Sequence, residues 1–173
     1  MKGTLAIAVF SVIAGACGGS PAAPTMTLSA PTLSAGNYTL RIDPGKGLET
    51  PTFCMGVSIN GASAVFTSAS VPVVVTSDGT AWTMRPTLET DRGLVITLRV
   101  AGATFDGTAA GQAVDGQTML TFGTEGSAPE PARLSGSPIQ TNVISGTMVG
   151  VMTFSREGAS GSCTSYSWVL LPR

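Results

Sequence analysis

From residue 36 onward, apolar and polar residues alternate with a period of two, the pattern of strands that bury one face. Tyr38, Leu40 and Ile42 alternate with Thr39, Arg41 and Asp43, and Phe53, Met55, Val57 and Ile59 alternate with Thr52, Cys54, Gly56 and Ser58. Trp82 and Met84 fall opposite Thr83 and Arg85, and Leu94, Ile96, Leu98 and Val100 fall opposite Val95, Thr97 and Arg99. Towards the C-terminus, Met148, Met152 and Phe154 share one face, as do Tyr166, Trp168 and Leu170. No stretch of this region carries a helical period, and Gly and Pro interrupt every window long enough for one.

Turn residues separate the runs. Asp78-Gly79 joins residues 71–77 to 80–88, and Asp115-Gly116 joins 104–114 to 117–123. Asp-Gly favours the two positive φ angles of a type I′ hairpin, so both are expected as two-residue turns. Asn60-Gly61 is a third, weaker one, because residues 62–70 lack clear alternation, and the Gly/Ser/Pro-rich stretches 123–137 and 157–162 read as loops. The whole predicts an all-β domain over residues 35–173, a single antiparallel meander of about eight or nine strands. Closing it into a small barrel removes the two edges an open sheet would leave. A two-sheet sandwich is the alternative.

The start of the chain is built differently. Met1-Lys2 supplies a positive charge, Leu5 to Ala14 an apolar run, and Gly15-Ala16 small residues before Cys17, the order of a secretory signal. Ala14-Gly15-Ala16-Cys17 resembles the lipobox of bacterial lipoproteins, with Ala14 where that family favours Leu. The resemblance implies that residues 1–16 are removed and that Cys17 becomes a diacylglyceryl-modified, N-acylated N-terminus. A Gly rather than an Asp at position 18 implies transport to the outer membrane, with the domain facing the periplasm. Residues 17–34 then form the lipidated N-terminus and a Gly/Ser/Pro-rich tether, beginning Gly18-Gly19-Ser20-Pro21. Two or three acyl chains make a stable anchor where one does not.

With Cys17 taken by lipid, Cys54 and Cys163 remain. In an oxidising compartment an even remainder reads as a disulfide, with two buried thiols as the alternative. The bridge would close a loop of about a hundred residues, worth up to ~4–5 kcal/mol in the chain-entropy account. Both cysteines fall on the polar faces of their runs, so the bridge is expected outside the core. If both runs flanked the first strand they would lie about 9.6 Å apart. One cysteine would then have to sit at a strand end, a role that Cys163 fits after Gly158 to Ser162, since a disulfide needs Cα atoms within about 7 Å.

Composition removes several function classes. Losing Lys2 with the leader leaves eight basic groups against ten acidic ones, no electrostatic footprint for nucleic acid. There is no histidine, so no Ser-His-Asp or Cys-His nucleophile and no histidine-ligated metal can be built. The single mature lysine, Lys46, lies in a Pro-Gly-Lys-Gly loop, and no spacing among the carboxylates singles out an acid–base pair. A non-catalytic protein without metal or cofactor is the expectation.

Two weaker signals remain. Gly107-Thr108-Ala109-Ala110-Gly111 is echoed by Gly146-Thr147-Met148-Val149-Gly150, which reads as two strands that bend sharply. Gly36-Asn37-Tyr38 opens the first strand and Arg173 follows the last, distantly similar to the Gly-x-Trp and capping Arg of lipocalin-like barrels. That resemblance implies a small apolar or amphipathic ligand held near Tyr38, Trp82, Met84, Met148, Met152 and Trp168. The competing expectation is that these residues fill the barrel, and that the domain binds another envelope protein through its surface. A cavity lined by Trp82 and Trp168 would favour the first, a packed core with a large exposed apolar patch or an unpaired sheet edge the second. The anchor itself makes a direct prediction: Cys17→Ala moves the protein from the membrane to the soluble fraction on cell fractionation, and retention in the membrane contradicts the lipidation.

Overall fold

Alternation along one chain becomes a barrel because every strand has one apolar face to hide. The computed structural model describes residues 32–44, 54–58, 63–124 and 130–173. Among them every regular element is a strand: β1 (Gly36–Pro44), β2 (Cys54–Ser58), β3 (Ser63–Phe66), β4 (Ala69–Ser77), β5 (Ala81–Pro86), β6 (Asp91–Ala101), β7 (Thr104–Asp115), β8 (Thr118–Phe122), β9 (Ala132–Gln140), β10 (Val143–Arg156) and β11 (Ala159–Pro172). Residues 1–31, with the signal and Cys17, lie outside the described residues, as do Lys46, Phe53 and Asn60-Gly61.

Eight of these strands close an antiparallel ring in the order β1-β4-β5-β6-β7-β9-β10-β11, with β11 returning to β1. The expected closed barrel is therefore the architecture. The other three extend it. β11 is paired to β1 as far as Pro44↔Tyr166 and then to β2 from Gly56↔Gly161 to Ser58↔Ala159, so β2 runs in line with β1. Likewise β7 pairs with β8 down to Gly111↔Phe122 and with β9 from Ala109↔Ala132, so β8 and β9 form one line interrupted by residues 123–131. β3 follows the line of β4 but is bonded to β2 alone among the described residues, and stands outside the ring. One rim, here the upper, carries the start of β1 and the end of β11; the lower rim carries the β10–β11 turn.

Several local expectations change. Residues 123–137 are not all loop, since β9 begins at Ala132, and of 157–162 only the turn remains, since β11 begins at Ala159. The small residues that looked like loop composition are there for packing. A Cβ on Gly136 would sit 2.6 Å from Cζ2 of Trp168. The hairpin geometries also differ. Asp78 does not have positive φ; Gly79 does, and the Asp78 carboxylate accepts the N–H groups of Thr80 and Ala81 at 2.8 Å each. Those hydrogen bonds hold its pKa down at about 2, so their contribution is complete above the ordinary carboxylate range and fades as pH falls towards 2. At the second site the two-residue loop is Gly116-Gln117, because Asp115 pairs with Thr118. The turn with two positive φ angles is Glu157-Gly158, at 51° and 80°.

The disulfide Cys54–Cys163 is present, with Cα atoms 6.0 Å apart. It lies within the core, not outside it: Cys163 is buried and Cys54 packs against the same cluster. Two features explain the reversal. β2 pairs directly with β11, with no strand between them. And Cys163 and Tyr166 both face inward three residues apart, so the period of two slips by one in β11. The slip lies where the pairing with β10 shifts register between Val149 and Met152.

The second copy of the repeated Gly-Thr-x-x-Gly ends in that shift, and the first lies beside another, between Arg92 and Gly93 of β6. The two copies lie in β7 and β10, the strands on either side of the β8–β9 line. Gly111 (φ 102°) and Gly150 (φ 135°) stand beside the interruption, where a Cβ would strike the Gly93 carbonyl or come within 2.9 Å of the Ala132 Cα. At the other end of each copy, Gly107 lies against the carbonyl of Thr97 and Gly146 against that of Ser135. These glycines let backbones approach closely. Gly146→Ala should destabilise the domain by at least about 1–3 kcal/mol, read as a lowered midpoint in denaturant, because the methyl meets backbone rather than a movable side chain.

Candidate functional site

The residues expected to line a ligand cavity are placed by alternation on the inner face, and there they pack against one another. Met84, Met148 and Met152 are fully buried, Trp168 is 1% exposed and Tyr38 3%. Leu40, Ile42, Leu94, Ile96, Leu98, Phe105, Ile144, Tyr166 and Leu170 fill the space between them, each with no exposed surface. Side chains that present no surface to a water-sized sphere leave no room for a guest among them. An eight-stranded barrel is about as wide as its own side chains can fill.

The polar ends of these residues are largely used internally. Trp168 Nε1–H donates to the carbonyls of Ser135 and Thr147 at 3.2 Å each, tying β11 to β9 and β10. Tyr38 O–H donates to the Ser34 carbonyl at 2.8 Å. Burial raises the pKa of both Tyr38 and Tyr166 above the ordinary tyrosine value, so both stay neutral through the physiological range. The Tyr166 hydroxyl is buried without a hydrogen-bond partner among the described residues, a cost of about 1–3 kcal/mol.

Trp82 stands apart from the other five. It is half-buried near the upper rim, edge-on to Phe105 with ring centroids 5.4 Å apart. Its Nε1–H donates to the Leu33 carbonyl at 2.6 Å, and Leu33 is itself buried in the core. Ser34 N–H reaches Asn142 Oδ1 at 2.9 Å. The segment just before β1 thus covers the upper mouth and is bonded to β5 and to the β9–β10 turn. Gly36-Asn37-Tyr38 does open β1 next to the chain end, where the Arg173 N–H donates to the Asn37 carbonyl at 3.0 Å, with Arg173 exposed. Arg99 is also exposed, on the wet face of β6.

The concave feature lies at the lower rim. A cleft of about 310 Å³ runs along residues 63–68 and faces the β10–β11 turn. Its floor is formed by the rings of Phe66 and Phe154, which stack with centroids 5.5 Å apart and are almost fully buried, so that most of the surface the cleft exposes is polar. Its mouth carries the exposed ion pair of Arg156 Nε and Glu157 Oε1 at 3.5 Å, and the exposed Val65. A second, shallower hollow of about 650 Å³ lies on the outer wall beside Gly111, between Arg92 and Glu130. Among the described residues, no three His, Cys, Asp or Glu side chains converge as metal ligands would.

Sequence reasoning placed Phe154 on an inner face but missed this cleft. Its long wall, residues 63–68, lies in the stretch without alternation: Phe66 and Ala69 are both buried, three residues apart, across the break at Thr67-Ser68. No protein-family model, curated protein sequence or solved structure matches this chain.

Proposed function

We propose that this is a lipid-anchored, non-catalytic protein of the bacterial cell envelope, tethered through Cys17 to the outer membrane and facing the periplasm. Its barrel acts as a solid interaction module that recognises an envelope protein at the lower rim. The observation that carries this reading is a filled interior together with a strand, β3, that has one partner among the described residues and stands beside a cleft. The anchor and the location rest on the likeness of Ala14-Gly15-Ala16-Cys17 to the lipobox. A small apolar or amphipathic ligand is the second reading, favoured by the Phe66–Phe154 floor of the same cleft.

Native mass spectrometry of the Cys17→Ala chain, gently purified from the periplasm, separates the two. The interaction module predicts the bare polypeptide mass. A discrete added mass that disappears on denaturation would make ligand carriage the function instead.

A further inference from the structure

We infer that the free edge of β3 and the cleft beside it form a docking site for an extended peptide segment of a partner protein, which adds to the sheet as a further strand. The inference rests on the interaction-module reading and names the partner's form.

On one side β3 is paired to β2 from Cys54↔Phe66 to Val57↔Ser63. The other side is where the ring neighbour of β4 would continue, and that neighbour is short. β5 ends against β4 at Val73↔Pro86, one more bond joins Thr87 N–H to the Pro72 carbonyl, and the chain turns away. Residues 63–68 therefore have no strand paired to them on that side among the described residues, and above them the end of β7 approaches β4. The N–H of Ser70 shows what such an edge takes up: it donates to the Asp115 carboxylate of β7 at 2.9 Å, a side-chain oxygen standing where a strand carbonyl would.

Proteins usually guard an exposed edge with Lys, Pro or an inward charge. Ser63-Ala64-Val65-Phe66-Thr67-Ser68-Ala69-Ser70 contains none of these. The unguarded edge is also the wall of the 310 Å³ cleft, so a strand laid along it would bring alternate side chains over Phe66 and Phe154. Main-chain hydrogen bonds would supply the affinity and the shape of the cleft the selectivity, as in other strand additions. A free small molecule could use the floor but not the edge.

The test is NMR titration of the Cys17→Ala chain with a blocked decapeptide of alternating Leu and Thr, flanked by Lys for solubility. A fully N-methylated copy keeps the side chains but has no N–H to donate. The expected result is saturable shifts confined to residues 63–70 and the Phe154 region, with the N-methylated copy at least about tenfold weaker, the equivalent of one or two hydrogen bonds. Val65→Lys, at a side chain already 53% exposed, should leave the fold intact and abolish the shifts. Equal binding of both peptides would overturn strand addition and leave binding in the cleft alone. A concentration-dependent dimer that protects β3 without peptide would overturn it in favour of a second copy. No shifts, from a chain with a bare native mass, would overturn the inference while leaving the interaction-module reading in place.

Discussion

The structure depends on one strand being bonded along both edges. β11 pairs with β10 from Ile144↔Leu170 to Arg156↔Ala159, and its other edge is taken by β1 and then β2. This last pairing joins the two ends of the chain and turns a curved sheet into a ring. It carries the largest entropic cost, because its partners are the most distant in sequence. The Cys54–Cys163 bridge, spanning 109 residues, lies at that seam and holds β2 to β11 where the β1 pairing has ended. Once the ring is closed, the inner faces of eight strands meet over a distance their own side chains can fill, and a solid core follows.

A filled interior moves recognition outwards. The upper mouth is covered by Leu33 and Ser34, held by Trp82, Tyr38 and Asn142. The lower rim is incomplete because β5 and β6 turn back early, and β3 is left with one partner. Among the described residues, β3 thus presents a short uncharged edge outside the ring.

Much of this was legible in the chain because most strands have one wet face and one dry one. Leu40 and Ile42, Leu94 to Leu98 and Tyr166 to Leu170 all face inward as their alternation requires. Where the structure departs from period two, the sequence misled. Cys163 reads as outward because the inward series is counted back from Tyr166, and the shift opposite Val149–Met152 reverses it. Ser135-Gly136-Ser137 reads as loop, although Gly136 is small because Trp168 lies over it. The candidate ligand residues were placed on the correct face, but whether facing side chains enclose a space or fill it is decided by neighbours far away in sequence. The cleft at β3 was the least legible feature, since it arises from where β5 ends rather than from anything in residues 63–66.

Hydrogen exchange resolved by residue tests the closed ring with one strand outside it. The amides of β1, β10 and β11 should exchange together and slowest, through global unfolding, while those of β3 exchange markedly faster. Protection of β3 equal to that of β11, or early exchange along the β1–β11 seam, would contradict the account.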